Sequence, residues 1–423
     1  MNSNIVSLDK PKQSKKDNEL IFADTTYNGK PISTLDNLAK LTTSLGITPS
    51  INLMNCEIEL LKNDIPLKAS AESKRSFLLS ESAKAGLPKS TIDDHLAALA
   101  ESNEYHPFKQ YLSEGTWDGI PRVNPTLQHI NAKQPDLAKA VLTKFLISVV
   151  AAVFEPRFSS KLVPVLQGGQ SFRKTAFIRR FADMVDGGFL EGAELNPDNK
   201  DLVLTSIRSV IVELGELERT SRNNQGGLKA FITREVDTVR PPYGRTDIKK
   251  RRQTVFIATV NGTDFFRDDT GSTRYAVIEL DKPIDLEGVN VLLGWRYDNG
   301  RLTLDKPEKL KQFWLEVKSL YDSGETWELT DLERDAVAQV NKVHDFKGNW
   351  YELLCDKFIE VDMTARNFEW MTATDVCGYC EISKSHVREV GKALKKLEGD
   401  DLIESKKGRA NKTFYKLPMI TKF

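Results

Sequence analysis

Between residues 162 and 185 an apolar segment, Leu162–Leu166, leads through Gly168-Gly169-Gln170-Ser171-Phe172-Arg173-Lys174-Thr175 into a stretch of helical spacing, Thr175–Val185. Strand, glycine-opened loop and helix in that order are the setting of a phosphate-binding loop, where backbone N–H groups at a helix start face an anion. In such a loop residues 168–175 cradle phosphates, Lys174 neutralises their outer oxygens and Thr175 holds Mg2+. One position departs from the pattern. Arg173 stands where glycine is expected, and glycine serves there by letting backbone approach the phosphate closely.

The surrounding segment, 161–280, alternates strand and helix as a layered α/β domain does. Val210–Val212, Val255–Val260 and Tyr275–Leu280 read as further strands and Leu228–Thr233 as a helix. Lys306–Tyr321 reads as another helix, with Leu310, Phe313, Val317 and Leu320 on one face. Pro164 sits awkwardly, because proline cannot donate to a central ladder. The second strand ends in Glu213, with Glu216 three positions on. Phosphoryl transfer needs an acid near Mg2+ and another to orient water, and Glu213 and Glu216 suit these roles in turn. Asn261 ends the third strand, where it can sit beside a γ-phosphate. Arg267 and Arg274 follow, and either has the planar fork that suits charge on a transferring phosphate.

Sixty Lys+Arg balance sixty Asp+Glu in 423 residues, which rules out a polybasic coat protein or an acidic tail protein. The length suggests two or three domains. The longest nearly apolar run, Phe145–Phe154, is ten residues broken by Ser148, against the ~20 that span a bilayer, so no membrane partner is expected. Cys56, Cys355, Cys377 and Cys380 make no disulfide framework, and the polar start lacks the apolar core of a signal peptide. A reduced, cytoplasmic setting is expected. Residues 1–20 read as a disordered tail, and 21–105 as a small α-rich domain. Ser33 caps its first helix, which carries Leu35, Leu38 and Leu41 before Gly46. Short strands at Ile51–Met54 and Glu57–Leu60 and helices at Ser70–Ala85 and Ser90–Ser102 complete it.

Charge is uneven along the neutral chain. Arg240 to Arg252 holds six basic residues and one acid, around Pro241-Pro242-Tyr243-Gly244-Arg245. A nucleic-acid-contacting hairpin uses such a segment, charge for phosphates and Tyr243 for stacking, and a solvated turn is the alternative. From Ser383 to Phe423 eleven Lys/Arg face five Asp/Glu. Just before this segment Thr372 and Asp375 predict a capping box opening a helix through Cys380. Ser383 opens a second helix with Val387, Val390, Leu394 and Leu397 as its buried stripe. Strands Leu402–Ser405 and Thr413–Leu417 follow, joined by a basic turn. This is a winged-helix pattern, with Lys384, Arg388, Lys392 and Lys395 off the stripe and Lys406, Lys407 and Arg409 in the wing, placed to meet DNA. Cys377-Gly-Tyr-Cys380 lacks the four ligands of a structural zinc site.

Together these strings resemble the virulence-associated E family of phage and mobile-element proteins, relatives of the superfamily 3 helicases within the AAA+ ATPases. The likeness runs from about Pro107 to Leu280. Besides the phosphate loop it is carried by Tyr111-Leu, Trp117-Asp-Gly-Ile-Pro-Arg122, Val153-Phe-Glu-Pro156, Val212-Glu-Leu-Gly-Glu-Leu217, Val239–Arg245 and Asp269-Thr-Gly-Ser-Thr-Arg274. The family's arginine pair is here Thr273-Arg274, so Arg274 inherits that role alone. The resemblance implies an α/β fold with a P-loop AAA+-like ATPase core, residues 106–330; the α-rich domain before it and the C-terminal winged helix, 346–423, rest on the residue patterns above. The resemblance also implies an ATP- and Mg2+-dependent helicase replicating a phage, prophage or phage satellite in a bacterial host's cytoplasm. A homo-oligomeric ring, preferably a hexamer, would pass single-stranded DNA through a pore lined by Arg240, Tyr243 and Arg245, and hold duplex on the winged helix. Lys174 and Thr175 would bind nucleotide, Glu213 hold Mg2+, Glu216 activate water, Asn261 sense the γ-phosphate and Arg274 reach across a subunit boundary. Two other readings fit: an origin-binding initiator or regulator with weak or lost ATPase, and an interaction protein interfering with another element's replication.

Overall fold

The computed structural model describes residues 20–215, 225–240, 247–262, 274–344, 348–360, 366–408 and 412–420. All but the last residue of the expected N-terminal tail lies outside them. Two compact units result, one running to Asn261 and resuming through Ala338, the other taking the chain from Gln339 onward.

In the first unit, helix Leu35–Ser44 is capped by Thr34, one residue beyond the expected Ser33: its hydroxyl accepts from Asn37 N at 3.3 Å. Helices Ala71–Lys84 and Ser90–Glu101 fall as expected. The two expected strands belong to a four-stranded sheet that accompanies these helices. Its strands are β1 (Thr48–Asn52), β2 (Glu57–Lys62), β3 (Ile65–Pro66) and β4 (Glu104–Tyr105), in the order β3-β2-β1-β4.

The main sheet holds β5 (Val163–Gln167), β6 (Phe189–Ala193) and β7 (Ile211–Gly215). Strands β8 (Val236–Val239) and β9 (Ile248–Arg251) form a separate antiparallel pair, and β10 (Val255–Val260) and β11 (Tyr275–Glu279) return to the main sheet. The order is β11-β5-β10-β7-β6, all parallel. Strands covered on both faces carry nearly continuous apolar sequence, which is why β5, β7, β10 and β11 are legible as apolar runs. Edge strand β6, with Glu191 and Gly192 exposed, was not expected. Pro164 is accommodated because its missing donor lies on the β10 side, where pairing starts only at Val165 opposite Ala258. On the β11 side Val163 N–H reaches Arg274 O at 2.8 Å.

Helix Pro135–Phe154 has 20 residues, twice the run visible as apolar sequence, and is long and apolar enough to cross a membrane by length and composition alone. It is instead a core element, with Phe145, Ile147, Val149 and Val150 fully buried beside Phe313 and Trp314 of helix Pro307–Asp322. Trp314 also packs edge-on against Phe108 and donates to Phe181 O at 2.9 Å. The Trp117–Arg122 string braces this layer. Arg122 pairs with Asp118 through two bonds of 2.7 and 2.8 Å, and Glu316 Oε2 accepts from the Arg122 and Val123 amides.

In the second unit, helix Asn349–Phe358 precedes β14 (Arg366–Met371) and helix Ala373–Tyr379, which opens with the Thr372–Asp375 capping box. The helix stops before Cys380, and Cys377 is buried. Ser383 caps a 3-10 turn, Lys384–His386, and the second helix starts only at Val387, running to Gly399 over Val390, Ala393, Leu394 and Leu397. Strands β15 (Glu404–Lys407) and β16 (Thr413–Ile420) pair antiparallel, and β14 adds to β16 as an unexpected third strand. Between β11 and this unit, Trp295–Asp298 (β12) and Arg301–Leu304 (β13) form a hairpin of the first unit.

Candidate active site

The loop after β5 is shaped by its side chains as much as by its glycines. The Phe172 ring lies against Gly168 and Gly169, so closely that a Cβ on Gly168 would meet Phe172 Cδ2 at 2.8 Å. Ser171 and Arg173 both hold left-handed backbone, φ 67° and 64°, which costs a side-chain-bearing residue about 1–2 kcal/mol each. Left-handed residues in a turn are among the conformations that aim successive N–H groups at an anion. Arg173 therefore adopts the backbone that a glycine would supply. Its side chain turns outward to Glu287, 3.1 Å away, with both groups exposed, so its bulk stays off the loop's inner face.

Lys174 opens helix Lys174–Ala182, which ends three residues short of the expected Val185. Its Nζ donates to Gly168 O at 2.8 Å, Gly169 O at 3.0 Å and Asn261 Oδ1 at 2.9 Å. Thr175 Oγ1 donates to Glu213 Oε1 at 2.5 Å, and Thr259 Oγ1 donates to the same oxygen at 2.9 Å. Glu213 lies within β7, not at its end, and is 1% exposed, so it is not an acid at a strand terminus meeting solvent. Its Oε2 is buried with no hydrogen-bond partner. Burial pushes the Glu213 carboxyl above the ordinary range, against its two threonine hydrogen bonds. Burial lowers Lys174, with the Glu213 charge opposing.

Parallel register brings these residues together. Ile257 lies opposite Glu213, so Thr259, two residues on, shares Glu213's face of the sheet. Asn261 follows at the same period. Thr259 was missed from sequence, although a lone hydroxyl in Val255-Phe-Ile-Ala-Thr-Val260 with a polar residue two positions later was the available signal. An orphaned carboxylate oxygen beside a threonine hydroxyl is the hard oxygen set that Mg2+ takes, so the residues present fit that ion.

Arg274 is not part of this cluster. It directly precedes β11, the neighbour of β5, at the N-terminal ends of the strands, with its carbonyl bonded to Val163 at the start of β5, roughly 15 Å of strand from the loop. Its Nε is buried with no hydrogen-bond partner. Glu216 and Arg267 lie outside the described residues.

Among the DNA-contact residues, Arg240 is exposed just past β8, while Tyr243, Arg245 and Arg409 lie outside the described residues. The basic run after them is only partly a surface feature. Arg252 is buried in a two-bond pair with Asp237, 2.8 Å each, and stacks 4.4 Å from the Phe231 ring centroid. Lys250 is buried as well, and burial lowers its pKa. Lys384, Arg388, Lys392, Lys395, Lys406 and Lys407 are all exposed on the second unit.

The model of the virulence-associated protein E-like domain matches residues 112–346. No curated protein matches the sequence. Among solved structures, an apo structure of the NrS-1 C-terminal region is similar at 12% identity and a TM-score of 0.48, over 90% of this chain and 98% of that one. A second, the A form of that region, is similar at 14% identity and a TM-score of 0.46, with the same coverage.

Proposed function

The chain belongs to the virulence-associated protein E-like family, and on that premise we propose that it is an ATP-hydrolysing DNA translocase that acts in replication of a phage or other mobile element. The observation that carries the reading is the convergence of Lys174, Thr175, Glu213, Thr259 and Asn261 from β5, β7 and β10 at the C-terminal ends of parallel strands, where α/β sheets bind ligands. Residues 168–175 bind the phosphates of ATP. Lys174, held on the loop carbonyls of Gly168 and Gly169, exchanges those partners for phosphate oxygens. Asn261 then faces the γ-phosphate, and Glu213 with Thr175 forms the seat for Mg2+. The ion, when bound, spreads the negative charge that develops on the phosphates. Glu216 orients water, and Arg274, remote from its own chain's loop, serves a neighbour in a ring.

In this reading the β8–β9 pair carries the pore segment Arg240–Arg245, and the second unit is a winged helix holding duplex through Lys384, Arg388, Lys392, Lys406 and Lys407. The test measures ATPase rate with and without single-stranded DNA, beside the oligomer mass in ATP. Stimulated turnover by an assembled ring supports the reading. Sequence-specific duplex binding without turnover would replace it with an initiator.

A further inference from the structure

The second unit has a sheet face whose aromatic rings the duplex-binding reading does not use, with Lys406 the residue common to both. Strand alternation and register put Phe368, Trp370, Phe414, Lys406 and Lys416 on one side of the β14-β16-β15 sheet: Trp370 lies opposite Lys416, and Phe414 opposite Lys406. The other side is the unit's core, where Met371, Tyr415 and Leu417 pack with Val390, Leu394 and Leu397 of helix Val387–Gly399. The lysines of that helix and the aromatic sheet face therefore lie on different sides of the sheet. Phe368 is 53% exposed and Trp370 36%, a cost in water that marks a contact surface when rings cluster. Lys406 Nζ sits 3.9 Å from the Trp370 ring centroid and Lys416 Nζ 5.6 Å from that of Phe368. The carboxylate on the face, Glu404, is tied to Lys416 at 3.0 Å.

We propose that this face binds single-stranded nucleic acid. Trp370 and Phe368 stack on successive bases, while Lys406 and Lys416 leave the rings for flanking phosphates. Residues two apart on a strand are about 7 Å apart, a separation open to the splayed bases of an extended single strand. The bases of a duplex, stacked about 3.4 Å apart, cannot straddle it. Rings with cations beside them are also the chemistry of sequence-tolerant single-strand sites.

The test uses the full chain without nucleotide, so that the motor reading is not engaged, with a 12-nucleotide oligothymidylate and the same strand paired to oligodeoxyadenylate. Phe368→Ala with Trp370→Ala should weaken single-strand binding by at least about fivefold and leave duplex binding and the melting temperature unchanged. Trp370→Phe should bind the single strand nearly as well as wild type but lose the tryptophan quenching that accompanies binding. Lys406→Gln with Lys416→Gln should flatten the salt dependence of single-strand binding by up to about 1.4 in slope, a readout that survives if the aromatic variant fails to fold. Unchanged single-strand affinity in a folded aromatic variant, or an equal loss for duplex, overturns the proposal. So does quenching that persists in Trp370→Phe. Repeating the measurement in Lys174→Ala should give the same losses, which separates this face from the ATP site.

Discussion

Thr175, at the start of the helix after the loop, donates its hydroxyl to Glu213, 38 residues later on the third strand of the chain's parallel sheet, at 2.5 Å. A buried carboxylate thus accepts from two hydroxyls on one oxygen, while the other oxygen makes no close hydrogen bond and the Gly192 amide favours the charge only weakly. The arrangement favours a ligand over the stability of the ligand-free protein.

That relationship gives a pH-dependent prediction. A carboxyl whose folded pKa lies above its unfolded value adds stability only while protonated; the contribution is complete below the ordinary value of 4.5 and disappears as pH rises through the folded one. Above the ordinary value the raised pKa of Glu213 therefore costs stability. Glu213→Gln should raise the thermal midpoint at pH 7.5 by about 1–3 °C, with the gain shrinking towards pH 4.5, while ATPase is lost. Melting curves across that range decide it, and a gain independent of pH would show that ionisation is not the cause.

Lys174→Ala should abolish ATP hydrolysis and leave the fold intact. The lysine's partners without nucleotide are two loop carbonyls and Asn261, all of which water can satisfy. Turnover assays beside circular dichroism check both halves. Wild-type turnover would mean that the loop is not a nucleotide site.

The Asp237–Arg252 pair secures the base of the β8–β9 hairpin, with both side chains 1% exposed. Removing one partner strands the other charge, so Asp237→Asn should destabilise by about 3–5 kcal/mol. Asp237→Leu with Arg252→Met should recover most of it, since the neighbours Phe231 and Phe256 are apolar. Denaturant titration of the three variants measures this, and a double variant no better than the single would refute the stranded-charge account.

Arg274 should act in trans. Arg274→Ala and Lys174→Ala, each inactive alone, should regain part of their ATPase when mixed, because some interfaces then pair an intact lysine with an intact arginine. A missing finger costs about 10³-fold or more, so even partial recovery is measurable. Arg267→Ala is the comparison, and rescue of Lys174→Ala by it but not by Arg274→Ala would move the finger to Arg267.

The strands around the loop were legible because strands buried on both faces are apolar throughout, and the loop because its glycines and Lys174-Thr175 are contiguous. What the sequence concealed depends on register. Thr259 matters only because parallel pairing sets it over Glu213. Arg252 looked like surface charge because its partner, Asp237, lies fifteen residues back on the facing strand. Glycine at 173 was expected on steric grounds, yet the requirement is a backbone angle, which Arg173 meets while its side chain points away. Edge strand β6 escaped notice because its exposed Glu191 and Gly192 interrupt the apolar run.

The burial of helix Pro135–Phe154 bears on how the chain is made. Tyr321 packs near Phe154 and bonds Glu155 at 2.7 Å, and the helix that carries it leaves the ribosome about 170 residues later. At ordinary synthesis rates that is an interval of roughly 10–30 s. Throughout it the face that Phe313 and Trp314 cover stays open on a nascent segment with the length and apolarity of a membrane anchor, so fragments truncated before Pro307 are the ones that should aggregate or partition into lipid.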